Sequence, residues 1–181
     1  KKKPKKEEIF SNLINAGSYL FEDSIFDYIP QGRSSLERDV FPKLAQEGQL
    51  NGFPFEGYFI DAGTPKSWSL GVQASIANKR WSSGKNIGSN WYSDDTINVD
   101  TKSSVEHTML SKGAMINSAS LTNCSLLENV TIGSHSRLIE TLVGRDSIIG
   151  KHCVLNNVVI DHGSILPDNT VLSDAQWPIG E

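Results

Sequence analysis

Aliphatic side chains recur at Leu110, Ile116, Leu121, Leu127, Ile132, Leu138, Val143, Ile149, Leu155, Ile160, Leu166 and Leu172, always five or six residues apart. A helix repeats its apolar face at about 3.6 residues and a strand at 2, so neither element can bury this series on one side. A short, sustained period is the mark of a solenoid, in which each unit adds one flat strand and one corner and the coils stack. Three units make a coil of about 17 residues, and the series is long enough for roughly four coils. Several units begin aliphatic-Gly and place a small residue at the fifth position, as in "IGSHSR" and "IGKHCV". The aliphatic residue fills the axis, Gly permits the backbone angles of the corner, and the small residue relieves crowding inside the coil. On this spacing Cys153 takes a small inward position and Cys124 falls near a corner, where it is expected to be exposed. His135 and His152 take the fourth position of their units and are expected to point outward at corners.

The chain before this series has a different period. Up to about Asn78 it reads as mixed α/β. "NLINAGSYLF" and "GYFID" are strand candidates, and "DSIFDYI" is a short helix with Asp23 as its cap. "SSLERDVFPKLAQEG" is a longer helix. It has a capping box from Ser34 to Glu37, and Gly48 suits its C-terminal stop. Pro42 should bend it or end its first half, because Pro lacks the N–H that an interior turn needs. Thr64 caps a further helix with Pro65 at its first position, and Trp68, Val72 and Ile76 form its buried stripe. The polar, Gly- and Ser-rich run over 81–97 reads as a linker in which Trp81 and Trp91 dock on neighbours. The resulting boundaries are 1–80 for the α/β part, 81–97 for the linker and 98–181 for the solenoid.

Charge and composition narrow the function. Five of the first six residues are lysines, yet the net charge is −4. From Asp94 onward there are eleven acidic and five basic residues. Such a surface repels phosphate backbones, so nucleic acid is not an expected partner. No apolar run approaches the roughly 18–20 residues of a membrane span, and no membrane partner is expected. The two cysteines form no disulfide framework, which favours a reducing cytoplasm. No Gly-x-x-x-x-Gly-Lys-Ser/Thr loop, His-Glu-x-x-His or Gly-x-Ser-x-Gly motif occurs, so the 181 residues carry no complete catalytic constellation.

Four stretches in order, "KKPKK", "NLINAGSYLF", "GRSSLERDVFPKLAQEGQL" and "FEGYFIDAGTPKSW", resemble the sugar-1-phosphate nucleotidyltransferases, especially the mannose-1-phosphate guanylyltransferase-like group. The likeness spans about residues 2 to 80, and the solenoid behind it matches members with a C-terminal hexapeptide domain. The resemblance implies the second half of a Rossmann-like nucleotidyltransferase α/β domain, then an all-β left-handed parallel β-helix of hexapeptide repeats. It implies a metal-assisted reaction: a sugar 1-phosphate attacks the α-phosphate of a nucleoside triphosphate, giving a nucleotide sugar and pyrophosphate. It implies Mg²⁺ as the ion of the complete enzyme, and a β-helix that serves homo-oligomerisation or regulation.

Carried over by position, the resemblance makes Lys3 a contact to the sugar phosphate, where a lysine supplies a point positive charge. It makes Asn15 and Gly17 lining of the sugar pocket and Glu37 a sugar-facing acid. Asp61 becomes one of the carboxylates on Mg²⁺, which favours one or two carboxylates plus phosphate oxygens. Lys2 departs from the pattern, standing where the family has Glu. The resemblance puts the Gly-rich phosphate loop and the other metal carboxylate in a segment before Lys1. Residues 1–181 alone are therefore expected not to catalyse nucleotidyl transfer. Two other readings stand beside this one: a hexapeptide acyltransferase half of a bifunctional enzyme, with a loop histidine as base, and a non-catalytic regulatory or structural subunit. The acyltransferase reading usually brings a long loop between coils, and no interval from Leu110 to Leu172 exceeds six.

Overall fold

A computed structural model describes residues 11–178, and Lys3 lies outside them. The chain forms two compact units that divide between Phe59 and Ile60.

The first unit has little regular structure. A 3-10 turn spans Asp23–Asp27, and a single π turn, Leu36–Val40, runs into helix α1, Phe41–Gln46. Ile25, Val40 and Leu44 form a small core with Tyr28, Leu36 and Phe41 against it. Pro42 acts as expected. Having no N–H, it cannot continue the turn behind it, so the π turn ends at Val40 and Pro42 sits in the first turn of α1. Gly48 stops α1 at φ +70°, and the Gln49 N–H closes back on the Leu44 carbonyl at 2.8 Å.

Both expected caps are absent. Asp23 is the first residue of the 3-10 turn and Glu22 takes its N-cap position, with no side-chain cap. The Ser34–Glu37 box is replaced because the wide π turn brings Asp39 within reach of the turn's start. Its carboxylate accepts the Ser35 N–H at 2.7 Å, and Glu37 is left to turn elsewhere. Neither "NLINAGSYLF" nor "GYFID" is a strand. A strand exists through its ladder, and among the described residues no backbone pairs with either run. Leu13, Ile14 and Leu20 are accordingly 74%, 75% and 99% exposed.

The second unit begins with helix α2, Pro65–Asn78. Its start is the expected one: Thr64 Oγ1 accepts the Ser67 N–H at 3.2 Å and Ser67 Oγ accepts the Thr64 N–H at 3.1 Å, with Pro65 in the first position. Val72 and Ile76 are buried with Trp91 and Met109, while Trp68 stays partly exposed. The 81–97 stretch is folded rather than a bare linker. Strands β1, Lys85–Ile87, and β2, Asn90–Tyr92, form an antiparallel hairpin. Trp81 and Trp91 stack with ring centres 4.3 Å apart, as their docking role required.

Strand β2 is also the first rung of a three-sided parallel solenoid. One face holds β2, β5 (Met109–Leu110), β8 (Ser125–Leu126), β11 (Leu142–Val143) and the last residues of β13 (Val154–Ile160) and β15 (Val171–Trp177). A second face holds β3 (Asn98–Val99), β6 (Met115–Ile116), β9 (Thr131–Ile132), β12 (Ile148–Ile149) and β14 (Ile165–Leu166). The third holds β4 (Ser104–Glu106), β7 (Ser120–Thr122), β10 (Arg137–Ile139) and the first residues of β13 and β15. About five coils result, one more than the aliphatic series indicated, because β2 to β4 add a turn ahead of Leu110. No long loop leaves the coils between β5 and β15. Among the described residues no helix is long and apolar enough to cross a membrane.

The register refines the repeat. Most partners are 17 residues apart, as Ser120↔Arg137 and Leu142↔Val159, but one coil is shorter by a residue, with Met109↔Ser125 and Met115↔Thr131. This places Leu126, not Leu127, on the axis, where it is fully buried. Cys124 corrects the expectation in the same way. It takes the small inward position, fully buried beside the axis, and burial pushes its thiol up to about 12. Cys153 is inward as expected. Only the thiolate reacts, so a thiol-disulfide reagent at pH 8 should label neither cysteine in the folded protein and both in denaturant. Rapid labelling of the native chain would contradict the inward placement.

The glycines of the repeat also have a different task from the one expected. Gly133, Gly144 and Gly150 do not adopt positive φ. A Cβ on Gly133 would lie 2.6 Å from the Gly150 backbone, and one on Gly144 2.6 Å from the His162 nitrogen. They are glycines because the next coil passes too close for a side chain. The left-handed corner angle falls two residues later, on His135 (φ +64°), Asp146 (φ +59°) and His152 (φ +57°), and Asn123, Asn129, Asn157 and Asn169 do the same. Asn and Asp tolerate this region best among residues with a side chain.

Asp100 clamps the first coils together. Its carboxylate accepts the Lys102 N–H and Ser103 Oγ–H at 2.9 Å within its own turn, and the Ser118 N–H and Oγ–H at 2.7 Å on the next coil. The Ser118 hydroxyl first, then the Ser103 hydroxyl and the two N–H groups, hold the carboxyl down to about 2. The folded value lies below the ordinary one of about 3.9. Its contribution is therefore complete above pH 4 and is lost as pH falls toward 2. Asp100→Asn should lower the urea midpoint at pH 7, and the gap to the parent should close between about pH 4 and pH 2. A gap that does not narrow in that window would rule out the clamp.

Candidate functional site

Three of the residues singled out in the sequence come together in the first unit. The Asn15 Nδ2 donates to the Tyr19 hydroxyl at 2.7 Å, and that hydroxyl donates to Glu37 Oε1 at 3.1 Å. Asn15 Oδ1 accepts the Gly17 N–H at 2.9 Å. Gly17 adopts φ +72° with open space where a Cβ would stand, so its requirement is conformational rather than steric. The Ser35 hydroxyl donates to Glu37 Oε2 at 2.9 Å. Glu37's own backbone N–H, then Ser35 and Tyr19, hold its carboxyl below the usual range, so it is ionised at neutral pH.

Tyr19 is the member that sequence reasoning missed. Its ring packs edge-on against Phe41 of α1, with centres 5.0 Å apart, and stacks on Phe21 at 5.6 Å. Two aromatic contacts thus fix the hydroxyl that joins Asn15 to Glu37. The available signal was a tyrosine in "NAGSY", four residues after Asn15, on a stretch with few other polar groups. The cluster is exposed and offers an amide, a phenol and an ionised carboxylate side by side. Such a set recognises vicinal hydroxyl groups, each of which both donates and accepts.

Asp61 belongs to the second unit, in the turn ahead of α2. Its Oδ1 accepts the Gly63 N–H at 3.1 Å, which orders the turn into Thr64. Oδ2 has no hydrogen-bond partner among the described residues and remains available to a cation. Among the described residues no group of three or more His, Cys, Asp or Glu side chains could hold a metal ion. Asp61 therefore fits a hard cation as one carboxylate ligand, with the rest of the coordination shell from elsewhere.

Comparisons with known proteins match two successive parts of the chain, with Asp61 in the first. Residues 1–76 match the nucleotidyl transferase family, and residues 93–176 match the GlmU-like, C-terminal hexapeptide family, a match that fits the left-handed form of the β-helix. In this order the two matches are those of a nucleotidyl transferase domain followed by a C-terminal hexapeptide domain. Mannose-1-phosphate guanyltransferase of Neurospora crassa is 26% identical over 94% of this chain and 54% of its own. Mannose-1-phosphate guanyltransferase beta-B of Xenopus laevis is 29% identical over 94% of this chain and 50% of its own. The chain spans about half the length of the curated relatives it matches. Among solved structures, serine acetyltransferase isoform 3 from Entamoeba histolytica, in complex with cysteine, covers 48% of this chain and 36% of its own at TM-score 0.43 and 19% identity.

Proposed function

We propose that these residues are the C-terminal portion of a sugar-1-phosphate nucleotidyltransferase that makes a nucleotide sugar and pyrophosphate from a nucleoside triphosphate, with guanylyl transfer to mannose 1-phosphate as the preferred reaction. The observation that carries this reading is the span of the relatives: one named activity accompanies 94% of the chain, across both the α/β part and the solenoid. The Asn15–Tyr19–Glu37 cluster and Gly17 supply a surface for the sugar hydroxyls. Lys3 supplies charge for the sugar phosphate. Asp61 holds Mg²⁺ through its free oxygen together with phosphate oxygens. In this reading residues 1–80 are part of the catalytic domain, the run after them joins it to the β-helix, and the β-helix runs from its first rung, β2, onward. Two free cysteines agree with a cytoplasmic setting.

Oligomerisation through the β-helix has its own support. On the second face Met115, Thr131, Ile148 and Ile165 stand in register on β6, β9, β12 and β14, and the three apolar members are about half to two-thirds exposed. An apolar ladder on a flat sheet gains most when another flat sheet covers it.

The test is a pyrophosphorolysis assay on the longest natural polypeptide that contains these residues, with Mg²⁺ and a panel of GDP-, UDP-, ADP- and dTDP-sugars. GDP-mannose should be turned over fastest. Turnover of none of them, by a protein shown to be folded, would overturn the reading.

A further inference from the structure

The left-handed corner residues of the solenoid stack in three columns, one residue per coil, and the side chains within a column lie within reach of one another. In the first column Asn157 donates to Asp174, Nδ2 to Oδ1, at 2.7 Å. In the second Asn129 donates to Asp146 in the same way at 2.8 Å. The third column runs Ser118, His135, His152, Asn169, and its central pair differs. The two imidazoles stack with ring centres 5.1 Å apart and planes 25° from parallel. Both side chains are exposed, and neither ring takes part in a hydrogen bond among the described residues. Their backbones are pinned, since the His135 N–H donates to Ser118 O and the His152 N–H to Ser134 O, each at 2.9 Å. Two residues further on, β10 and β13 are locked in register at Arg137↔Val154. Two unused imidazoles are thus held side by side on a rigid frame.

We infer that His135 and His152 form a surface site for one divalent ion of the imidazole-preferring class, Cu²⁺, Ni²⁺ or Zn²⁺. Imidazole nitrogens bind such ions at about 2.0–2.1 Å, so two of them on one ion stand roughly 3 Å apart. Rings already stacked at 5.1 Å reach that separation by rotating their side chains, with no movement of the coils. No third His, Cys, Asp or Glu joins the pair among the described residues. Water completes the shell, and the ion is open to exchange and to a further donor from outside. The site is distinct in kind from Asp61: neutral nitrogen donors do not hold Mg²⁺, and a lone carboxylate does not select the softer ions.

Calorimetric titration of untagged full-length chain should show one ion per chain lost on replacing either histidine, tightest for Cu²⁺, weaker for Ni²⁺ and Zn²⁺, while any heat from Mg²⁺ is the same in parent and histidine variants. His135→Asn and His152→Asn should each weaken Ni²⁺ binding by about 10-fold or more. Asn suits the corner angle, as Asn169 does in the same column, so both variants should melt with the parent. Asn169→His should tighten binding by about 10-fold by adding a third ring to the column. Affinity unchanged in both single variants would place the ion elsewhere in the protein and overturn the inference. So would a parent that binds two ions independently and loses one in each variant.

Discussion

Leu138→Ala should destabilise the solenoid by about 3–5 kcal/mol, the upper part of the range for a buried leucine. Leu138 is fully buried on β10, with Leu121 above it and Leu155 below it in register along the axis. The cost of such a truncation depends on how far the surroundings can collapse into the void. Here they cannot. The coil positions are set by backbone ladders on three faces, and Gly133 and Gly150 already pass at contact distance. The cavity stays open, and the melting temperature should fall by roughly 10 °C for a chain of this size. Val154→Ala is the control. Val154 is on the neighbouring strand but points outward at 45% exposure, and its loss should cost less than about 1 kcal/mol. Thermal melts by circular dichroism compare the two. A Leu138→Ala melt within a degree or two of the parent would show a core loose enough to refill.

Asp61→Asn should lower pyrophosphorolysis by the natural full-length protein about 100-fold or more, which corresponds to the few kcal/mol that a metal ion contributes to phosphoryl charge stabilisation. The substitution separates two roles for this side chain. Asn retains an oxygen to accept the Gly63 N–H, so the turn into α2 and the Thr64–Ser67 cap should persist. What Asn lacks is the charge that a hard cation requires. Excess Mg²⁺ should recover part of the loss. Undiminished activity in Asp61→Asn would reduce Asp61 to a turn residue and remove the metal role from the proposal.

Parts of the fold were legible because each repeat unit is nearly autonomous. An aliphatic residue every five or six positions reports an axis whatever its neighbours do, and Pro42, Gly48 and the Thr64-Pro65 start act through bonds within one turn. The candidate cluster was legible only in pieces. Asn15, Gly17 and Glu37 could be marked from a family likeness. Tyr19, which connects them, depends on two aromatic rings, one of them 22 residues further along.

Period and residue size are local properties, and they were enough to establish three things about this chain. Its architecture changes where the five-to-six-residue period begins, the C-terminal half is a stacked parallel coil, and small residues face the axis of that coil. Other features exist only as relations between distant segments. The one-residue shortening of a coil put Leu126 in the core and Leu127 at its edge, and it buried Cys124, since register is a relation between coils. The repeat glycines answer to close approach while Asn, Asp and His carry the corner angle, because the crowding comes from the next coil. "NLINAGSYLF" and "GYFID" have no ladder here, because a strand is completed by its partner and no sequence pattern supplies one.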